Sequence, residues 1–314
     1  MCGSTEPRVE PAEDHEDLKR RLTRRDAARV QHRGRHEPDN EAPPTHPVAE
    51  RGGDRSACGM SIDTPPRSDP TGTVTADHLL GGRVSYMQPR DGFRAAIDPV
   101  LLAAAIPARS GERVLEGGTG AGAALLCLAA RVPGISGTGV DRDPDLVRLA
   151  RANAAANGLD DLSFAAADLA ASPIGGRFDH AFANPPYHAA SGTPSPTAGR
   201  EAAKRSAPDL LPTWVEALSR PLRHRGTLTF ILPPSLLEAA LKAMRERNVP
   251  AECVFPIWPR VGQPARLIVI QGRKHGRSPL VIAAGLVLHT EAGAFRPDAD
   301  AVLRDGAALG LTGG

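Results

Sequence analysis

Residues 113–122 read Arg113-Val114-Leu115-Glu116-Gly117-Gly118-Thr119-Gly120-Ala121-Gly122, and the stretch that follows, to Arg131, is small and aliphatic. A short apolar run that breaks on glycines and then turns helical predicts a strand, a tight turn and a helix over 121–131. In a doubly wound parallel sheet the ligand lies beyond the carboxyl ends of the strands, where a glycine-rich turn lets backbone approach it closely. No Lys-Ser or Lys-Thr follows the glycines, which argues against a triphosphate-binding P-loop. The spacing is Gly-x-Gly-x-Gly with an acid two positions ahead, not the Gly-x-Gly-x-x-Gly that cradles a pyrophosphate. An acid at that point suits a ligand carrying an ammonium and a sulfonium and repels phosphate.

Outward from this turn, strands and helices alternate. The pattern predicts a helix over 97–106, strands over 135–140, 162–166 and 178–183, and a helix over 144–157 that opens on Pro144 and stops at Gly158. Further on it predicts helices over 209–222 and 235–247, and strands over 227–232, 252–257 and 266–271. Residues 279–289 and the last 20 are expected to supply an edge element and a terminal helix. Strands alternating with helices of this length mean βαβ units, so the expected fold is α/β: Rossmann-like, doubly wound, with a mostly parallel seven-stranded sheet.

Two more acids fall at successive predicted strand ends. Asp141 lies 25 residues after Glu116, where a carboxylate can accept both hydroxyl hydrogens of a ribose. Asp168 follows the next strand, placed for an adenine amino group. Each acid singly is also readable as a solvated loop residue or a helix cap. Together, behind a Gly-x-Gly-x-Gly turn, they point to an S-adenosylmethionine (SAM) pocket, with NAD as the alternative ligand.

The predicted strand 178–183 stops at Asn184-Pro185-Pro186-Tyr187. Two prolines neither continue a strand nor enter a helix interior, so this is a stiff extended corner; the plain reading of such a dipeptide is turn punctuation. Stiffness has a chemical use here. The nitrogen of an amide or a ring-bound NH₂ is a poor nucleophile because its lone pair is delocalised. Two acceptors, the Asn184 side-chain oxygen and the Pro185 carbonyl, can hold both hydrogens and favour the pyramidal nitrogen that attacks a methyl group. They act mainly in the transition state, so no titrating base is essential. Tyr187 offers a face for stacking, worth roughly 1–3 kcal/mol per base.

Composition bounds the rest. The chain has 314 residues, 41% hydrophobic and 24% charged, with a net charge of +2; that excludes a strongly cationic coat protein but not nucleic acid or small substrates. Residues 1–60 hold 11 Lys/Arg and 12 Asp/Glu, and the first aromatic residue of the chain is Tyr86. Such a segment cannot bury enough apolar surface to offset its ordering entropy, so 1–78 is expected to be a disordered polar tail and 79–314 the folded domain, with Met60 a candidate later start. Cys2, Cys58, Cys127 and Cys253 are scattered, with no Cys-x-x-Cys pair. No disulfide scaffold or metal site is therefore expected, and a reducing, cytoplasmic setting is the default. No apolar run approaches the roughly 20 residues that span a bilayer.

The segment from about Gly81 to the C-terminus resembles the tRNA1(Val) adenine-37 N6-methyltransferase family, within the class I SAM-dependent methyltransferases. The resemblance is carried by Gln88-Pro89-Arg90-Asp91-Gly92-Phe93-Arg94, Ile97-Asp98-Pro99-Val100-Leu101-Leu102, the glycine turn and Asn184–Tyr187. Trp258-Pro259-Arg260-Val261-Gly262-Gln263-Pro264-Ala265 and Gly285-Leu286-Val287-Leu288-His289 add to it. It implies that Glu116, Gly118, Gly120 and Gly122 surround the methionyl part of SAM, Asp141 the ribose and Asp168 the adenine. Asn184 would also border the cofactor, Asn184 to Tyr187 would hold the target base, and the Arg94 and Asp98 region would close the pocket. The chain departs from the family pattern in Glu116, usually Asp, and Gly117, usually Leu or Ile, a change expected to loosen the loop. It departs again after the corner, where 188–207 lacks the aromatic residue that often follows.

A tRNA substrate calls for cations around the mouth of the site, because phosphate contacts position RNA without reading its sequence. The candidates are Arg200, Lys204 and Arg205; Arg220, Arg223, His224 and Arg225; Arg260 with Arg266; and Arg273, Lys274, His275 and Arg277. The leading expectation is N6-methylation of a tRNA adenine in an anticodon-loop type substrate. The alternatives are a protein glutamine N5-methyltransferase acting on release factors, whose family carries a packed helical domain ahead of the SAM domain, and a non-catalytic nucleotide- or RNA-binding module.

Overall fold

The computed structural model describes residues 74–90, 97–186 and 207–311. The expectation of a polar tail falls, up to residue 73, outside them. A two-stranded antiparallel hairpin comes first among the described residues, β1 (Val74–Leu79) and β2 (Val84–Pro89), and β1 lies within the stretch expected as tail. Then follow α1 (Asp98–Ala105), β3 (Arg113–Gly117), α2 (Ala123–Arg131), β4 (Ser136–Asp141), α3 (Pro144–Ala156), β5 (Leu162–Ala166) and β6 (Phe178–Ala183). The second half holds α4 (Ala207–Ser219), β7 (Leu222–Leu232), α5 (Leu237–Glu246), β8 (Ala251–Trp258), β9 (Leu267–Arg273), β10 (Val281–Ile282), β11 (Leu286–Val287) and α6 (Pro297–Leu303).

The main sheet runs β10-β8-β9-β7-β6-β3-β4-β5, with β11 also beside β8. It is mostly parallel; β9 runs against both β7 and β8. The expected seven strands are all present. The two extra strands are two-residue pieces of the 279–289 stretch, which prolong the β8 edge. The sheet is covered on both faces, as parallel sheets require. One apolar layer joins α1, α2, α3 and α6 to Val84, Tyr86, Val114 and Phe182. The other packs α4 and α5 on Leu115, Ala181, Phe230 and Ile270.

Local chemistry sets the ends of these elements. Asp143 caps α3 by accepting from the Asp145 and Leu146 amides, and Pro144 supplies the first turn. Lys274 donates to the carbonyls of Ser219, Arg220 and Leu222 at 2.8, 3.1 and 2.9 Å, closing the C-terminus of α4. Hairpin β1–β2 is fastened by two asparagines one turn apart, Asn153 in α3 and Asn157 at its C-cap. Asn157 exchanges hydrogen bonds with the Ser85 backbone, and Asn153 does so with Met87. Asn153, fully buried, also donates to the Ala121 carbonyl at 3.0 Å and so ties the hairpin to the glycine turn.

Candidate active site

Strands β3 and β6 are hydrogen-bonded neighbours, with Gly117 paired to Ala183. The glycine turn and the Asn184-Pro185-Pro186 corner therefore leave the sheet from adjoining strand ends, about 4.8 Å apart. The strand order reverses between β3 and β6, which is the topological switch point where open α/β sheets form their ligand crevice. Just past β6, Asn184 is half-buried, Pro185 buried and Pro186 exposed. Tyr187, Arg94 and the cations Arg200, Lys204 and Arg205 lie outside the described residues. Asp98 opens α1, whose buried residues face the layer beside the turn.

The turn itself is built from backbone and three polar side chains. The Thr119 amide donates to the Val140 carbonyl and the Gly122 amide to the Thr119 carbonyl, at 3.1 and 2.9 Å. Gly122, at φ +93°, is the cap from which α2 starts. Asp141, the last residue of β4, accepts from the Gly120 amide through Oδ2 at 2.8 Å and from the Asp143 amide through Oδ1 at 3.0 Å. Each of those oxygens retains a lone pair for a hydroxyl donor. Asp168, two residues past β5, is exposed and accepts from the Ala170 amide at 2.8 Å. It therefore fits the plain reading of a solvated loop residue, bonding the turn that follows; no helix starts there to be capped.

Glu116 is only 3% exposed. Its Oε2 accepts from the Thr119 hydroxyl at 2.6 Å, and the Leu125 amide in the first turn of α2 also supports it. Burial nevertheless dominates and pushes its carboxyl up to about 8, with the Asp141 charge adding a smaller push. Burial also raises the Tyr86 hydroxyl and, to about 12, the Cys127 thiol, and Glu116 is the next contributor to both. Hairpin, turn and α2 thus meet on one buried carboxyl.

Gly117 does not loosen the loop. A side-chain carbon there would lie 3.0 Å from both Leu169 Cδ1 and Leu218 Cδ2, so leucines from the β5–β6 connection and from α4 already fill that space. The next residue shows a contact the sequence reading missed. Gly118 sits at φ +64°, and a side-chain carbon on it would come within 2.5 Å of Trp214 Cη2. Trp214 belongs to α4, in a Leu211, Trp214, Val215, Leu218 stripe whose helical spacing reads as plain core. Asn153 was missed as well, since a polar residue on a helix carries no signal of what it will clamp. Gly120, at φ +55°, has nothing within 4 Å of the corresponding position, so the turn is open on that side.

Two of the cation groups expected at the mouth lie elsewhere. Arg220–Arg225 surround the start of β7, whose Leu222 pairs with Phe178. That is five residues down β6 from Ala183, about 17 Å at 3.3 Å per residue. Arg273–Arg277 meet them there, with the Arg225 amide bonded to the Lys274 carbonyl and His224 stacked on His275 at 5.6 Å. Within this edge Arg223 pairs with Asp179, Arg273 with Glu252, and Lys274 holds α4. The strand alternation that places a loop at one end of a sheet or the other is what a list of basic residues lacks. Only Arg260 and Arg266, on the β8–β9 connection, sit at the site's own edge among the described candidates. That connection and Val287 line a hollow of about 450 Å³, with Val261 75% exposed. Among the described residues no group of three or more His, Cys, Asp or Glu could hold a metal ion, and no helix is long and apolar enough to cross a membrane.

Residues 96–211 match the family described as "Methyltransferase small domain". The chain is 47% identical over 78 residues to a release factor glutamine methyltransferase of Rhodospirillum rubrum, 24% of each chain. It is 34% identical over 148 residues to a tRNA1(Val) (adenine(37)-N6)-methyltransferase of Actinobacillus succinogenes, 46% of this chain and 62% of that one. The chain thus spans between a quarter and just under two thirds of the length of these relatives. Among solved structures it is similar to Atu636 of Agrobacterium tumefaciens, described as a predicted O-methyltransferase, with a TM-score of 0.57 and 25% identity over 68% of this chain and 98% of that one.

Proposed function

We propose that the chain is a class I, SAM-dependent methyltransferase of the Asn-Pro-Pro-Tyr type and that it methylates a planar NH₂ nitrogen, a reading supported by its relatives and its fold. The observation that carries this reading is the register of Gly117 with Ala183, which sets the cofactor turn and the acceptor corner side by side. The residues present suit the cofactor. Gly120 leaves the turn open, and Asp141 keeps acceptor capacity for a ribose beside it. When bound, SAM supplies an electrophilic methyl group. The Asn184 Oδ1 and the Pro185 carbonyl hold the two hydrogens of the acceptor and draw its lone pair out of conjugation; after transfer one of those hydrogens leaves to water. Two acceptors match an NH₂ group, whereas a hydroxyl has one hydrogen to give, so the corner favours nitrogen over the oxygen named for the Agrobacterium protein. Tyr187 is assigned the stacking face on sequence grounds.

A glutamine side-chain amide and the N6 amino group of adenine are both planar NH₂ groups. The glutamine acceptor ranks first. The higher identity is to a release factor glutamine methyltransferase, and two of the cation groups an RNA would use lie at the far edge of the sheet. Adenine in tRNA ranks second, supported by the longer match and by Arg260 and Arg266 at the site's edge. Transfer of labelled methyl groups from SAM to purified release factors and, separately, to total tRNA tests the ranking. Label in release factor is expected; label only in tRNA reverses the order, and label in neither removes both acceptors. Asn184→Ala is expected to lower turnover by orders of magnitude while affinity for S-adenosylhomocysteine, measured by calorimetry, stays close to wild type. Lost cofactor affinity would show that Asn184 serves the donor instead.

A further inference from the structure

We infer that Trp214 is a positioning residue for the cofactor, forming the wall of the site where the glycine turn meets α4. The inference rests on the cofactor reading above and extends it to a residue outside the signature motifs. Three observations carry it. The Trp214 ring edge approaches Gly118 so closely that no other residue fits there, with a side-chain carbon at 118 falling 2.5 Å from Cη2 and 3.0 Å from Cζ3. Gly118 is the first glycine of the Gly-x-Gly-x-Gly turn, takes a left-handed φ and lies one residue past β3, so the indole packs on the turn and not on the strand that leads into it. Trp214 is also only partly buried, whereas Leu211, Val215 and Leu218 of the same stripe are fully buried. Part of the indole surface is therefore open to solvent.

The placement follows from the sequence around it. With glycine at both 117 and 118, α4 can approach the turn, Leu218 settling on Gly117 and Trp214, one turn earlier, on Gly118. Lys274 anchors the far end of the same helix by holding three carbonyls, so the indole is presented from a fixed element. The flank at Gly118 is closed by a flat, rigid ring and the flank at Gly120 is open. A cofactor on the turn is thereby confined to the Gly120 side, where Asp141 lies.

The chain has two tryptophans, Trp214 and Trp258, so Trp258→Phe leaves Trp214 as the only indole reporter. Titrating that variant with S-adenosylhomocysteine is expected to change its emission, with the same midpoint that calorimetry gives. Trp214→Phe, which keeps a flat ring, is expected to bind S-adenosylhomocysteine within about twofold of wild type. Trp214→Ala should bind it about tenfold more weakly, and raise KM for SAM more than it lowers kcat. Emission that does not move while calorimetry reports saturation overturns the proposal. So does a folded Trp214→Ala protein with wild-type affinity, since a purely structural role changes only its melting temperature. If Trp214→Ala does not fold, the Trp258→Phe titration still decides. Wild-type protein that binds no S-adenosylhomocysteine would remove the cofactor reading itself, a different failure from an unresponsive indole.

Discussion

The carboxyl of Glu116 has a measurable consequence for pH dependence. Its folded pKa of about 8 lies above the unfolded value of 4.5 because burial disfavours the charged form. The folded protein therefore holds a proton that the unfolded chain releases between those values. Stability from this group is fully present below pH 4.5, falls as pH rises through the window to about 8, and is level above it. Glu116→Gln is expected to flatten that decline in a series of thermal melts from pH 5 to 9; an unchanged slope would place the carboxyl in a more polar setting. If the ammonium of a bound cofactor draws this carboxyl into its charged form, binding at pH 7 should release a proton, which calorimetry in buffers of different ionisation enthalpy reads directly. At Gly117 the comparison with the family pattern misled because sequence shows a missing side chain but not what occupies its space. Gly117→Leu, the change toward the family's usual residue, is expected to cost about 1–3 kcal/mol by crowding Leu169 and Leu218, lowering the melting temperature.

Most elements were legible as soon as the glycine turn fixed the period of the chain. Strands β5 and β6 fall on the expected residues, and α2, α3, β8 and β9 lie within two residues of them. Hairpin β1–β2 was not read. Its signal is the alternation of buried Val84, Tyr86 and Gln88, but the third of these is polar, which breaks the apolar period. Its fastening comes from Asn153 and Asn157 at helical spacing, which look like an ordinary surface residue of α3 and its C-cap. Those amides occupy the edge of β2 as a neighbouring strand would. Asn153→Leu would leave the Met87 amide and the carbonyls of Met87 and Ala121 without that partner. A loss of roughly 3 kcal/mol in urea unfolding is expected, with faster amide exchange in β2 and at the turn. Asn157→Ala touches only the outer end of the clamp and should cost less than half as much. Equal losses would mean that the link to the turn adds nothing.

Across the whole sheet, the strand order separates two territories. Strands β4 and β5 present Asp141 and Asp168 on one side of the switch point, while β7, β9 and β8 extend the other side from the Asn184 corner to the hollow under Val261. The fold class and the motifs that meet at the switch point were legible, since both depend on local pattern. The position of the basic groups was not, because it depends on which way each strand runs. Charge reversal at the far edge, Arg225→Glu with Arg277→Glu, is therefore expected to leave methyl transfer within about twofold of wild type. Arg260→Glu with Arg266→Glu should slow transfer to tRNA, with a steeper effect at low salt, and leave transfer to a glutamine amide much less affected. A strong loss from the far-edge pair would relocate the acceptor surface.

The pairing of Gly117 with Ala183 also bears on how such a protein can be re-engineered. The glycine turn and the Asn184 corner are aligned by ladder hydrogen bonds between β3 and β6, so on the proposed reading their alignment needs no hinge. Swapping the β8–β9 connection, or the stretch between the corner and α4, should retarget the enzyme to a new molecule while leaving the reactive geometry intact.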